Sequence, residues 1–418
     1  MNVLLLGAGG REHALAWKLA QSPNMGQFYA LPGNPGIAEH AEIVEGVALS
    51  AHDTLVNWCR AHAIDLVVVG PEAPLVAGLV DRLTEAGIAA FGPTAAAARL
   101  EGSKLFTKEL CRAHGIPTAA FGRFSDAAAA AAYVTAEGAP IVVKADGLMA
   151  GKGVVVALTV EEAVTAIDQV FASGGQEVLI EEFMEGEEAS LFCLVDGETV
   201  VPFGSAQDHK RAFDGDLGPN TGGMGAYSPA PVLTAELEAR AIAEIVVPTA
   251  RAMAAAGTPY QGVLYAGLIL TADGPKLIEY NCRFGDPECQ VLMPRFTGDL
   301  LDVLAATATG RLAEVKATWS AQSALTVVYA SRGYPGAHKI GSDIERLKEA
   351  AAGPGVTIFQ AGTRLKGARL VSNGGRVLNV TATGDSLKEA QTRAYQAAAL
   401  IDWQDGFYRT DIGWRALK

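Results

Sequence analysis

Short apolar runs alternate with mixed, helix-like stretches through residues 1–101. Val3–Leu6, Gln27–Ala30, Leu66–Val69 and Ile88–Phe91 are such runs, and a helix is expected from about Glu12 to Leu19. Apolar runs without polar alternation suit strands buried on both faces. Their alternation with helices predicts a parallel sheet joined by right-handed crossovers. Ligands of such sheets sit beyond the carboxyl ends of the strands. The turns Gly7-Ala8-Gly9-Gly10, Leu31-Pro32-Gly33-Asn34-Pro35-Gly36 and Gly70-Pro71-Glu72 lie there.

The pattern then changes. Ser103 predicts an N-cap for a helix over Lys104–His114, ended by Gly115 with Pro117 beyond. Strands are expected at Ile141–Lys144, Val154–Ala157 and Val178–Ile180, and Ala127–Ala132 reads as part of a helix. Farther on, strands Leu191–Val195, Val263–Leu270 and Lys276–Tyr280 and a long helix near Ala235–Ala256 surround a loop from Asp208 to Pro231. A loop of that length with mixed charges and aromatics points to function. The last stretch predicts strand Ala324–Tyr329, hairpin-like segments around Asn373-Gly374-Gly375 and a helix near Leu387–Ala399.

Composition removes several classes. Of 418 residues, 50% are hydrophobic and 19% charged, which describes a globular chain. With 33 basic and 46 acidic residues the net charge is −13, so neither nucleic acid nor an anionic membrane is an expected partner. No basic segment precedes the first apolar run, so no signal peptide is expected, nor is any run long enough for a membrane helix. Five scattered cysteines without a Cys-x-x-Cys pair predict reduced thiols, a cytoplasmic setting and no zinc site. Cys282 and Cys289 read as packing residues. His13, His209 and His338 have no partner in sequence, although His209 lies in the long loop.

Candidate chemistry sits in the glycine-rich turns. Gly7-Ala8-Gly9-Gly10 follows a strand and opens a helix, so its N–H groups and the helix dipole can hold an anion. A dinucleotide fold does not fit: Glu12 stands where G-x-G-x-x-G needs glycine, and the second strand ends without an acid for a ribose. A monophosphate site and a plain tight turn both remain. The loop from Lys144 to Val154 is not a Walker loop, because Gly153 occupies the Ser/Thr position. It can still fold over phosphates, with Lys144 as a point charge; a polar hairpin is the plainer alternative. Glu181 to Glu188 reads as a hinge for an adenine edge with an acid for ribose hydroxyls, or as an acidic surface turn.

The sharpest feature runs from Lys276 to Glu288. Glu279 and Asn281 share one face of a strand because side chains alternate. A carboxylate and an amide oxygen suit Mg2+ shared with substrate phosphates and waters. Arg283 follows on that face if the strand continues, and a guanidinium can clamp a carboxylate. A salt-bridged strand end is the plainer alternative.

These pieces in this order resemble the ATP-grasp superfamily. Within it the chain is most similar to the glycinamide ribonucleotide synthetase family of purine biosynthesis. The likeness rests on GAGGREHAL near the start, VGPEAPL after the third strand, KADGLMAGKGV at 144–154, HKRAFDGDLGPNTGGMGAYSPAP at 209–231 and NCRFGDPECQ at 281–290. It spans essentially the whole chain, and the 209–231 stretch is the most specific.

The resemblance implies an α/β chain: a phosphoribosylamine-binding parallel-sheet domain at 1–101, a nucleotide subdomain at 102–190, a catalytic subdomain at 191–316 and a small α+β domain at 317–418. It implies that ATP, glycine and 5-phosphoribosylamine give glycinamide ribonucleotide, ADP and phosphate through glycyl phosphate. Such chemistry needs alignment and charge neutralisation more than acid–base work.

By the same resemblance, Lys104, Lys144, Gly151, Gly153, Glu181, Phe183 and Glu188 belong to the ATP site. Glu279 and Asn281 are implied as ligands of Mg2+ or Mn2+. Arg283 and Asp214 are implied at the reacting groups. Gly9, Gly10, Asn34, Pro71 and Glu72 are implied for phosphoribosylamine. Small-molecule partners and a monomer or weak dimer are expected.

One departure is visible. Many ATP-grasp enzymes carry a further metal-binding acid on the preceding strand, and Val263–Leu270 has none, which leaves the number of metal ions open. Another ATP-grasp ligase or a biotin-dependent carboxylase is the competing enzyme class. A nucleotide sensor without turnover is the non-enzymatic one, and Lys144, Glu279, Asn281 and Arg283 together argue against it.

Overall fold

The computed structural model describes residues 1–147 and 153–417. The N-terminal part is a parallel sheet in the order Glu42–Ile43, Phe28–Pro32, Val3–Gly7, Leu66–Val69, Ala89–Phe91. All of Val3–Gly7 and Leu66–Val69 is buried, as unbroken apolar runs require. The first helix spans Gly10–Leu19.

Helix Lys104–His114 forms where expected. The Ser103 hydroxyl accepts from the Phe106 N–H at 3.1 Å, and Gly115 closes the helix at φ 65°. An antiparallel sheet follows, ordered Phe121–Phe124, Val178–Glu182, Ile141–Ala145, Val154–Ala157. Helices Ala127–Glu137 and Val160–Ala172 pack on it through Ala130, Val134, Ala163 and Ile167.

The third sheet is the largest. Its order is Gly274–Asn281, Gln261–Thr271, Glu187–Asp196, Thr199–Asp208, Gly225–Ser228, Ser323–Ser331, Arg376–Gly384, Val356–Gln360, with Gly406–Phe407 also pairing Ser323–Ser331. It runs without a break past residue 316, where a new unit was expected. Gly225–Ser228 is the splice: it pairs Thr199–Asp208 on one side and Ser323–Ser331 on the other.

Three expectations change. The stretch 208–231 is not a continuous loop. It holds a small hairpin, Arg211–Phe213 with Leu217–Asn220, and then the splicing strand. Glycine and proline hid that strand, whose backbone is paired on both edges. The hairpin near Asn373 is a corner: Thr363–Lys366 pairs Arg369–Ser372, while Arg376–Gly384 joins the large sheet. The long helix is interrupted, with Ala235–Ala241 and Val247–Ala255 flanking a wider π turn, Ile242–Val246. Pro248 lacks the N–H that a regular ladder would use there.

The N-terminal sheet meets the large sheet at two glycines. Gly262 has φ +126°, and a Cβ on it would stand 3.1 Å from the Gly92 Cα, itself at φ +146°. A side chain there meets both backbone strain and an immovable neighbour. Gly262→Val is expected to destabilise the chain by about 2–3 kcal/mol, read as a lower midpoint in urea with an unchanged slope.

Candidate active site

A cleft opens between the antiparallel sheet and one edge of the large sheet. Its two halves share Lys144, Val154, Glu181, Ile278 and Glu279, so they are one continuous space.

Strand Gly274–Asn281 supplies one wall. Its pairing with Gln261–Thr271 slips between Gly267 and Leu268, and Gly267 lies opposite Glu279. Glu279 and Asn281 both line the cleft. Their oxygens suit a hard cation that keeps water and phosphate ligands. Among the described residues no three or more His, Cys, Asp or Glu side chains converge as a metal cage.

The opposite wall carries buried cations. Lys144 Nζ lies 2.9 Å from the Glu181 carboxylate and Lys108 Nζ 3.0 Å from it, all three side chains at most 5% exposed. Lys108 also donates to Thr118 Oγ1 at 2.7 Å, which donates to the Leu277 carbonyl at 2.7 Å. Lys104 donates to the Gly147 carbonyl at 2.8 Å. Burial lowers the pKa of Lys104 and Lys108, against the pull of Glu279 and Glu181 respectively. Lys108 was not singled out from sequence, yet its spacing from Lys104 puts both on one helix face.

In the other half, Phe183 and Met184 join Val142, Val156, Ile269 and Ile278 along an apolar stretch of the lining. Glu188 lines the same half, paired with Lys210. The Lys210 charge holds the Glu188 carboxyl below the ordinary carboxylate range. Gly153 lines the cleft, whereas Gly151 lies outside the described residues.

Arg283 stands past the end of its strand, not on the strand face, because pairing stops at Asn281. Its Nε donates to Glu72 at 3.1 Å, its NH2 lies 3.0 Å from Glu101, and its NH1 donates to the Phe284 carbonyl at 3.2 Å. Burial works against the guanidinium charge, yet Glu101 and Glu72 hold its pKa above the usual value. Pro71 precedes Glu72 as the N-cap of helix Glu72–Val76. The parallel-sheet domain thus reaches the cleft at Glu72. Glu101 was missed from sequence, because nothing local marks it.

The first glycine turn differs from its expected use. The Gly9 N–H donates to Glu12 at 2.7 Å, and the Arg11 N–H to Asp286 at 3.4 Å, so carboxylates of the chain itself occupy these amides. Gly10 is packed under Asn379 and Gln290. Asn34 spends its amide on the Ala8 and Gln360 carbonyls and on the Gly36 and Ile37 N–H groups. Gly9 and Asn34 border a second crevice with Asp286, Thr363 and Arg376, and Gly10 does not line it. Asp214 is exposed and bound to Thr410, outside the cleft lining. From its loop, Lys210, Asn220 and Thr221 face the cleft instead.

Beneath the cleft, Glu288 accepts from the Tyr265 hydroxyl at 3.0 Å. Burial and the Asp208 carboxylate push its carboxyl up, to about 7 from 4.5. A raised carboxyl pKa favours the native state at low pH, and that contribution fades as pH climbs from about 4.5 to 7. Glu288→Gln, which stays neutral, is expected to flatten the fall in unfolding midpoint across this window, measured by thermal melts at stepped pH.

Comparison with known proteins agrees along the whole chain. Residues 1–101 match the model of the phosphoribosylglycinamide synthetase N domain, 102–289 its ATP-grasp (A) domain and 324–415 its C domain. A phosphoribosylamine–glycine ligase of Rhizobium meliloti is 60% identical over 421 residues, covering 100% of this chain and 99% of that protein. One from Caulobacter vibrioides is 55% identical, with the same coverage. The crystal structure of phosphoribosylamine–glycine ligase from Thermotoga maritima superposes with a TM-score of 0.87 at 33% identity, covering 99% of this chain and 100% of that one. A biotin carboxylase from Campylobacter jejuni shares the fold, with a TM-score of 0.72 at 15% identity, 97% of this chain and 92% of that one being covered.

Proposed function

The chain belongs to the phosphoribosylglycinamide synthetase family, and from that premise we infer that it joins glycine to 5-phosphoribosylamine. The reaction consumes ATP and yields glycinamide ribonucleotide, ADP and phosphate, a step of purine biosynthesis. The observation that carries this reading is the single cleft in which buried lysines, the Glu279–Asn281 pair and Arg283 face one another.

The base of ATP enters beside Phe183, with Glu188 at the ribose hydroxyls. Lys104 and Lys144 then meet phosphate oxygens, and Gly153 lets the backbone approach them. Glu279 and Asn281 hold Mg2+ or Mn2+, which when bound neutralises phosphate charge. Arg283 leaves part of its engagement with Glu72 and Glu101 to clamp the glycine carboxylate beside the γ-phosphate. Alignment of that kind lowers the barrier without a proton relay. Attack by the carboxylate forms glycyl phosphate, and the amine of phosphoribosylamine displaces phosphate to make the amide. Glu72 and Pro71 stand at the end of the cleft from which that amine arrives, and the crevice beside Gly9 and Asn34 takes the rest of the molecule.

The divisions at 190 and 316 are retained as functional units, a nucleotide lid and a catalytic body followed by the C-terminal part. Work as a monomer or weak dimer in the cytoplasm completes the reading. Among the described residues no helix is long and apolar enough to cross a membrane.

ADP release is expected to need divalent metal, glycine and freshly generated phosphoribosylamine together. Turnover on bicarbonate and biotin instead would replace this reading with the carboxylase one. Oxygen-18 placed in the glycine carboxyl should appear in the liberated phosphate; unlabelled phosphate would exclude the acyl phosphate. Glu279→Ala is expected to lower kcat/KM by about 10³-fold or more, the scale of losing charge stabilisation at a transferring group. A near-normal rate in that variant would move the metal elsewhere.

A further inference from the structure

We propose that residues 409–415 latch the 209–224 excursion onto the cleft, which makes Arg409 a positioning residue of the active site. The excursion faces two ways. Toward the cleft it presents Lys210, Asn220 and Thr221. The Thr221 N–H and hydroxyl both donate to the Lys210 carbonyl, at 2.7 and 2.9 Å, and Lys210 pairs with Glu188. Its apolar anchoring is slight: Ala212 and, at its end, Met224 are buried, but Phe213 is 50% exposed and Leu217 65%. A glycine-rich excursion ordered with so little apolar burial needs other bonds to offset its entropy.

Those bonds come from the end of the chain. The Arg409 side chain is fully buried. Its NH1 donates to the Arg211 carbonyl at 3.0 Å and to Asp216 at 2.9 Å, while Nε and NH2 grip Asp411 in a fork at 2.7 and 2.8 Å. Asp411 also accepts from the Gly215 N–H at 2.8 Å. Arg415 donates to the other Asp216 oxygen at 2.8 Å, and the Gly413 N–H to His209 Nε2 at 2.9 Å. The Thr410 N–H and hydroxyl both bind Asp214.

Asp216 of the excursion is thus shared by Arg409 and Arg415, one oxygen each, while the Arg409–Asp411 fork lies within the 409–415 segment and fixes the plane of the guanidinium. The flanking strands Thr199–Asp208 and Gly225–Ser228 are held independently in the large sheet. The latch therefore acts on the excursion alone, and its loss loosens residues 209–217 without opening the sheet, while Arg376 and Tyr334 still hold Gly222. Asp214 acts within this latch, not at the reacting groups.

The test compares Arg409→Met, Arg409→Lys and Asp214→Ala with the parent chain; the last removes an exposed pair and leaves the buried cluster intact. Trypsin cuts after Lys210 and Arg211, inside the excursion. Cleavage there is expected to speed up about tenfold or more in Arg409→Met, beyond what the fall in thermal midpoint from losing a buried cation accounts for. The KM for ATP should rise about tenfold while kcat changes less than about threefold, because ground-state and transition-state contacts are lost together. Arg409→Lys should fall between, and Asp214→Ala should shift both readouts the same way but less.

Unchanged cleavage, an unchanged KM, or a midpoint that falls in step with both readouts would overturn the latch. If Arg409→Met does not fold, Asp214→Ala decides by the same criteria. The kinetic arm rests on the ligase reading and the cleavage arm does not. A parent chain without turnover would therefore sink the reading, while the latch is still judged by cleavage.

Discussion

Glu181 is one buried carboxylate held between two ammonium groups, and the nucleotide side of the cleft is organised around it. Lys144 comes from a strand of the antiparallel sheet and Lys108 from the helix that begins at Ser103. Removing one member of such a cluster strands a buried charge and typically costs about 3–5 kcal/mol. The cluster therefore joins helix and sheet at a fixed spacing. Two ammonium groups to one carboxylate also leave a positive excess in a poorly solvated place, where it would act strongly on an anion such as the phosphates of the proposed substrate.

Arg283 follows a different logic. Its guanidinium is held by Glu72 of the parallel-sheet domain and by Glu101 at the end of that domain. Those carboxylates keep it charged and aimed. In the reaction proposed above, a substrate carboxylate or phosphoryl group would displace part of that engagement. Interactions gained only as charge develops on the transferring group raise the rate, whereas uniform tight binding does not. A cation already neutralised in the resting protein suits that requirement.

The large sheet gives these groups a common frame. Glu279 and Asn281 stand on its edge strand, and the C-terminal strands belong to the same sheet through Gly225–Ser228. The C-terminal part is thus hydrogen-bonded into the body that carries Glu279 and Asn281. Asn34 and His13 add direct ties from the N-terminal domain to Gln360. Rigid positioning of separate chain segments is what a reaction governed by alignment demands.

Much of this was legible in the chain. The apolar runs placed the parallel sheet, Ser103 and Gly115 bounded their helix, and alternation put Glu279 and Asn281 on one face, because each depends on neighbours within a few residues. Lys144, Glu181 and Arg283 were found as candidates, but their partners were not. Lys108 with Glu181, Glu101 with Arg283, Glu12 with the Gly9 amide and Thr410 with Asp214 are pairings across the fold or by side-chain direction. The local sequence determined which elements form and which chemistry each can offer. Only the tertiary structure decided which carboxylate meets which cation, because burial and charge pairing act between segments distant in sequence, and they turned Asp214 and the first glycine amides toward the protein itself.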